Sequence, residues 1–210
     1  MANLHHTEDK LLLRIARHLI MHASFVSDLG LYHGKMGIVL FFAHYSRYTQ
    51  NHLYDKFAGV LLDEVHESIH AGLPVNFESG LCGIGWGIAY LMQNGFMEGD
   101  PDEILSALDA LVMERDLLRI TDRSMRTGLE GITCYVSKRI HSLSRKSGNM
   151  PFDDKYLADW KSATASLSIP DDKAVLDTVI HTLPGGDDIT LWRSGLESGC
   201  AGVGLKIMGL

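Results

Sequence analysis

The sequence has no run rich in lysine or arginine, and its formal net charge is −7 at pH 7. A protein whose main partner is nucleic acid or an anionic membrane usually carries a basic patch, because phosphate groups are negatively charged. The composition therefore argues against both partners. Strand-like alternation of apolar and polar residues is also nearly absent, which favours an all-α protein.

Cysteine is scarce, with only Cys82, Cys134 and Cys200. We interpret all three as small buried residues in a reducing compartment. No signal-peptide pattern is visible at the N-terminus, so we expect a cytoplasmic location. Residues 79–97 carry no charge, but their five glycines favour a buried helix over a membrane span. No Ser-His-Asp signature, P-loop or dinucleotide fingerprint is present.

What the chain does contain is a glycine signature that occurs four times. The copies are L31-Y-H-G-K-M-G-I38, L81-C-G-I-G-W-G-I88, M125-R-T-G-L-E-G-I132 and L196-E-S-G-C-A-G-V203. Three copies have the frame G-x-x-G-hydrophobic, whose outer glycines are Gly34 and Gly37, Gly128 and Gly131, and Gly199 and Gly202. In the second copy we identify Gly87 as the last glycine, with Ile84 in place of the first. This recurrence is typical of stacked supersecondary units.

Each signature predicts a tight loop that leads into an inner helix, because glycine permits close approach of the backbone. The segments that follow are apolar nearly all round, as expected of buried helices. We predict inner helices that begin just after Gly34, Gly85, Gly128 and Gly199. Amphipathic outer helices are predicted over residues 51–70 and from Asp100-Pro101 onward.

The loops G30-L-Y-H-G-K-M-G-I38 and G80-L-C-G-I-G-W-G-I88 resemble the repeat loops of lanthionine synthetase C-like proteins, and S194-G-L-E-S-G-C-A-G-V203 resembles that family's last repeat. The resemblance implies an α/α toroid, in which inner and outer rings of helices form seven helix pairs. Because 210 residues are too few for seven pairs, we expect an incomplete toroid-like array of about four helix hairpins, forming a single repeat domain over residues 1–210.

The resemblance also implies a catalytic zinc, which would lower the pKa of a peptide thiol before its addition to a dehydrated residue. When the loops are aligned on their final Gly-hydrophobic pair, Cys82 falls in the family's metal-cysteine position and His33 in its metal-histidine position. Leu81 replaces the tryptophan of the cysteine loop, and Tyr32 replaces the cysteine of the histidine loop. Because a third thiolate or imidazole is missing, we expect no cofactor, with zinc at His33 and Cys82 as the alternative.

Several side chains occupy variable positions of the glycine loops and would line a shared binding surface if the loops gather at one end of the array. These candidate binding residues are His33, Lys35, Trp86, Glu130 and Glu197.

Two hypotheses about function remain. The first is an accessory or peptide-binding component in the maturation of a ribosomally synthesised peptide, as in lantibiotic biosynthesis, with a peptide substrate or a maturation partner. The second is an active enzyme, either a reduced zinc-dependent thioether cyclase or a toroid-type glycoside hydrolase. The missing third zinc ligand favours the first hypothesis.

An incomplete array would expose apolar flanks on its first and last units. The C-terminal run from Ala201 has Lys206 as its one charged side chain. We therefore expect this run to be covered, either by residues 142–192 folding back or by a second copy of the chain, and we favour a homodimer.

Overall fold

A computed structural model describes residues 2–141, 150–186 and 188–210 of the chain. Within these ranges there are no β-strands, and the regular elements are helices: α1 Ala2–His22, α2 Lys35–Thr49, α3 His52–Glu67, α4 Leu81–Gln93, α5 Pro101–Met113, α6 Leu129–Ile140, α7 Asp154–Thr164, α8 Asp172–Val179 and α9 Cys200–Ile207. Short 3-10 helices cover Ala23–Phe25, Leu117–Arg119 and Ile189–Leu191. The predicted all-α fold is confirmed. Among the helices described, none combines the length and the hydropathy that a bilayer crossing requires.

The helices fall into two compact units. The first unit consists of Met1–Ser68 and Asp172–Leu210 and contains α1, α2, α3, α8 and α9. The second unit consists of Ile69–Asp171 and contains α4 to α7. The single repeat domain and its four hairpins stay predictions.

Four helices begin directly after a glycine, as expected of the inner helices. The preceding residues are Gly34 for α2, Gly80 for α4, Gly128 for α6 and Gly199 for α9. The predicted starts of α2, α6 and α9 are therefore confirmed. The predicted start of α4 after Gly85 is wrong, because this helix begins five residues earlier, after Gly80.

The reason is that the second glycine signature has its complete frame at an earlier position. Gly80-Leu81-Cys82-Gly83-Ile84 matches the frame G-x-x-G-hydrophobic without any replacement. Gly87, predicted to be the last glycine of the loop, instead lies buried inside α4. The second loop is therefore regular, and the correct alignment shifts it by four residues.

The outer helices agree with the sequence patterns. Helix α3 begins after Asn51, and α5 begins at Pro101 with the side chain of Asp100 accepting a hydrogen bond from the amide of Asp102 at 2.9 Å. Both predicted amphipathic helices are thus confirmed. The sequence analysis did not predict α7.

The C-terminal helix of the first unit is covered by helices of the same chain. Helix α9 packs against α1 and α2, and α2 also packs against α3. Gly204 of α9 lies so close to the ring of Phe41 that a Cβ there would overlap the ring. Helices α1 and α2 are covers that the sequence analysis did not name. Ile189 of the expected segment also reaches α9, where its carbonyl oxygen lies 4.0 Å from Cys200 Sγ. Fold-back of the whole segment 142–192 stays a prediction, since 142–149 lie outside the described residues. A homodimer stays a prediction, but it is no longer needed to cover α9.

In the second unit, α4 packs against α5 and α6, and α6 packs against α7. The centre of this unit holds a buried ion pair in which Arg139 Nη2 lies 2.6 Å from Asp109 Oδ2. The hydroxyl of Tyr135 also donates to Asp109, at 2.5 Å. This buried polar network thus joins α5 to α6 inside the core of the unit.

Candidate functional site: the paired glycine loops

Each inner helix begins with the same backbone hydrogen bond, which closes the glycine loop before it. The first amide of the helix donates to the carbonyl seven residues earlier, at 2.7 to 2.9 Å, in the pairs Lys35 to Asp28, Leu81 to Pro74, Leu129 to Asp122 and Cys200 to Arg193. We name these segments loop A (residues 28–37), loop B (74–83), loop C (122–131) and loop D (193–202). Each loop is thus a turn closed by its own backbone hydrogen bond, and this closure fixes the positions from which its side chains project.

The glycines of the loops allow this close approach of backbone to backbone. A Cβ at Gly34, Gly128 or Gly199 would meet backbone atoms four and six residues earlier. At the next glycine of each frame it would meet the carbonyl six residues earlier, as seen for Gly37, Gly131 and Gly202. The frame is therefore set by packing, since none of these glycines has a positive φ.

In the first unit, loops A and D are joined directly through their backbones. The amides of Leu196 and Glu197 in loop D donate to the carbonyl of Tyr32 in loop A, at 2.7 and 3.0 Å. Tyr32 and Glu197 each lie two residues before the glycine that precedes their helix. The last loop of the chain is thus hydrogen-bonded to the first.

The second unit repeats this arrangement with loops B and C. The amides of Phe77 and Glu78 in loop B donate to the carbonyl of Arg126 in loop C, both at 3.0 Å. Glu78 and Glu197 therefore occupy the same place in equivalent loops. This equivalence was hidden in the sequence analysis because loop B was aligned four residues too late.

Charged side chains project from the loop pair of the first unit. His33 Nε2 lies 3.3 Å from Glu197 Oε2, and these side chains are 24% and 14% exposed. Lys35 forms an ion pair with Glu64 of α3. Three of the five predicted binding residues therefore lie on the loop pair A and D. An imidazole held beside a carboxylate is able to bind a polar group or to transfer a proton.

Beside this pair, Ser198 adopts a left-handed backbone conformation with a φ of 50°. This region is uncommon for residues other than glycine, asparagine and aspartate. The amide of Ser198 donates to the carbonyl of Thr182 at 3.1 Å, which holds the turn in place. The turn thereby fixes the direction in which the neighbouring Glu197 leaves the loop.

In the second unit, the equivalent loop positions carry another ion pair. Arg126 Nη1 lies 2.8 Å from Glu78 Oε1, and the side chains are 40% and 23% exposed. Sequence reasoning missed both residues. The signal that could have found them is their place two residues before Gly128 and Gly80, which becomes visible once the frame of loop B is read correctly.

The remaining predicted binding residues, Trp86 and Glu130, lie in the second unit. Trp86 is 1% exposed within α4, where its ring stacks on Tyr90 and Lys138 Nζ lies 5.6 Å from its centroid. Glu130 lies in the first turn of α6 and is partly exposed. The surface shared by all five residues stays a prediction, and the described surroundings of Trp86 are those of a core residue.

All three cysteines are enclosed. Cys82 is 0% exposed inside α4, and burial holds the pKa of its thiol well above the ordinary value. Burial raises the pKa of Cys134 to about 12, with a further contribution from the charge of Glu130, and it raises the pKa of Cys200 to about 11. Thiols of this kind remain protonated at neutral pH and are poor nucleophiles.

A family model described as "Lanthionine synthetase C-like protein" matches residues 26–187 of the chain. The matched region contains loops A, B and C, whereas loop D lies after its end. No match is found among the curated proteins or among the solved structures.

Proposed function

The chain belongs to the lanthionine synthetase C-like family, and from this premise we propose that it is an accessory, peptide-binding component in the maturation of a ribosomally synthesised peptide. The family match supports a lanthionine synthetase-like function in general terms. We propose in addition that the chain binds the peptide without cyclising it, that the pathway is of the lantibiotic type and that the location is cytoplasmic.

The state of the cysteines carries this proposal. The resemblance implies a zinc site built partly from thiolates, and Cys82 was the candidate ligand. A thiol binds zinc as the thiolate, which forms readily in exposed or electropositive surroundings. Cys82 is instead fully buried in a helix with a raised pKa. Among the described residues, Cys82 also belongs to no cluster of three histidine, cysteine, aspartate or glutamate side chains close enough to share a metal ion. The arrangement therefore does not fit a zinc site at Cys82, and we derive no step through a metal.

The loop pairs support the binding part of the proposal. Each pair presents a partly exposed carboxylate beside a basic side chain on a backbone held by hydrogen bonds, namely Glu197 with His33 and Glu78 with Arg126. Preorganised polar groups of this kind orient a bound ligand at little entropic cost. The polar backbone and side chains of a peptide match these donors and acceptors.

A second candidate is residual enzymatic activity, and the contact between His33 and Glu197 favours it. A carboxylate beside an imidazole orients the ring, which suits a general base. A glycoside hydrolase requires two carboxylates that face each other across the substrate. At the equivalent loop positions each unit offers one carboxylate paired with a basic side chain, so the form of this alternative that the geometry supports is general-base catalysis through His33.

A synthetic peptide that contains one dehydroalanine and one cysteine tests both candidates. Binding is measured by fluorescence anisotropy, thioether formation by mass spectrometry after thiol alkylation, and zinc by elemental analysis of untagged protein. We expect binding without thioether formation above the protein-free rate. Absence of binding would overturn the proposal. Enzyme-dependent thioether formation that is lost in His33→Ala, but retained in the exposed-histidine control His52→Ala, would establish the enzyme instead.

A further inference from the structure

A cavity of about 260 Å³ lies in the second unit where loop B approaches loop C. Four of its seven lining residues are aliphatic, namely Pro74, Val75, Ile120 and Ile132. Ile132 is 3% exposed, so the floor of the cavity is part of the core of this unit. An apolar wall of this kind gains free energy when it covers an aliphatic group.

Two of the polar residues that line the cavity offer hydrogen-bond donors to a ligand. Arg115 is the charged residue among those that line it, and no described residue forms an ion pair with its guanidinium. Asn76 Oδ1 already accepts hydrogen bonds from the amide and hydroxyl of Ser79, at 2.9 and 3.3 Å. The amide nitrogen of Asn76 is therefore the group left to meet a ligand.

The third polar lining residue has its hydroxyl engaged. Thr127 Oγ1 donates to Asp122 Oδ2 at 2.5 Å, and Asp122 itself does not line the cavity. The cavity thus presents a positive charge and N–H donors beside aliphatic carbon. A guanidinium pairs well with a carboxylate, because its parallel N–H groups match the two oxygens.

We infer that this cavity binds a carboxylate carried by an aliphatic part of a peptide. The inference rests on the proposed peptide binding and names the chemical group that the second unit recognises. The carboxylate comes either from the C-terminus of a peptide that ends in an aliphatic residue or from an acidic side chain next to one. An amine or guanidinium is disfavoured, since it would meet Arg115 at close range.

A neighbouring cavity of about 370 Å³ in the same unit also includes Arg115, but its charge is different. It is lined in addition by Lys155 and by four acidic residues, Glu114, Asp116, Asp153 and Asp159. This excess of carboxylates disfavours an anion. A substitution of Lys155 therefore tests the larger cavity alone, because Lys155 lines the larger cavity and does not line the smaller one.

The test uses the full chain and N-terminally labelled peptides of the sequence Gly-Gly-Ala-Val-Leu, followed by fluorescence anisotropy. One peptide has a free C-terminal carboxylate, the second ends in an amide, and the third is the amide with aspartate in place of valine. We expect the free acid to bind about tenfold more tightly than the amide, the scale of a hydrogen-bonded charge. Tight binding of the aspartate peptide would support the inference with the side chain as the source.

Variants locate the site. Arg115→Ala should remove the preference for the acid over the amide, Arg115→Lys should retain part of it, and Lys155→Ala should leave it unchanged. Equal binding of all three peptides to the unaltered chain overturns the carboxylate site but leaves peptide binding intact. A preference that survives in Arg115→Ala, or is lost in Lys155→Ala, also overturns it. If none of the peptides binds, both the inference and the proposed function fail.

Discussion

Leu196 donates its backbone amide to the carbonyl of Tyr32 at 2.7 Å, and Phe77 has the same relationship to Arg126 at 3.0 Å. The side chains of the two donors also take equivalent places. A Cβ at Gly37 would lie 2.8 Å from Leu196 Cγ, and one at Gly131 would lie 2.5 Å from Phe77 Cβ. The two units therefore pair their glycine loops in the same way. In each pair, a bulky side chain of one loop packs against a glycine of the other loop.

This contact predicts that Gly37→Val and Gly131→Val destabilise the protein by more than about 3 kcal/mol each, because the added atoms overlap backbone that cannot shift freely. At Gly37 even a Cβ would lie 2.5 Å from the carbonyl oxygen of Leu31. Urea unfolding followed by circular dichroism measures the change in the free energy of unfolding. Stabilities within about 1 kcal/mol of the unaltered protein would show that the loops relax more easily than the structure implies.

The matched control is Gly59→Ala. Gly59 lies exposed in α3, and nothing stands within 4 Å of a Cβ built there. Alanine should therefore stabilise the helix, by up to about 1 kcal/mol. Gly99 is unsuitable as a mild control, because its φ of 144° and the nearby Ile104 Cδ1, at 2.6 Å from a Cβ, both oppose a side chain.

The helical fold could be predicted from the sequence. Helix α2 is apolar on all sides and α3 is apolar on one face, and this difference distinguishes inner from outer helices. The register of loop B was not predictable in the same way. Glycines at 80, 83, 85 and 87 allow more than one alignment of the frame. The hydrogen bond from Leu81 to Pro74, together with the close approach of Gly80 to the carbonyl of Pro74, selects Gly80. The closely spaced glycines therefore make the sequence pattern of loop B ambiguous, whereas the packing of the loop allows only one register.

The candidate site was predictable in part. His33, Lys35 and Glu197 were found from their loops, but the contact between His33 and Glu197 joins distant parts of the sequence and depends on how loop D meets loop A. Arg115 was missed for a related reason. It follows the end of α5, and its place in a cavity depends on the path of the chain into loop C. Tertiary contacts, not local pattern, decide such positions.

The enclosed cysteines predict slow thiol chemistry. In the native protein Cys82, Cys134 and Cys200 should react with a disulfide reagent at least on the order of a hundredfold more slowly than a free thiol, because each is buried and has a raised pKa. In denaturing urea all three should react rapidly. Rapid labelling of one native thiol, identified as Cys82 by its loss in Cys82→Ser, would contradict the proposed absence of a thiolate site.

The buried pair of Asp109 and Arg139 predicts a large effect from removing one partner. Asp109→Ala leaves a guanidinium buried without its principal carboxylate, and we expect a loss of about 3 to 5 kcal/mol. The control is Asp177→Ala, which breaks an exposed ion pair with Lys173 and should cost less than about 1 kcal/mol. Chemical unfolding of both variants measures the difference. Similar losses would mean that solvent or other groups compensate at Arg139.

The last prediction concerns the dependence of stability on pH. Burial, together with the nearby charge of Arg47, lowers the pKa of His44 to about 4, below the ordinary histidine value of 6.5. The unfolded chain therefore binds a proton at His44 between these values while the folded chain does not, so this contribution to stability is complete above pH 6.5 and is lost as the pH falls toward 4. Between pH 7 and 5, His44→Gln should lose about 1 to 2 kcal/mol less stability than the unaltered protein. Urea unfolding at both pH values measures this, with the exposed His52→Gln as the control. If His44→Gln and the unaltered protein lose equal stability, His44 is protonated in the folded state.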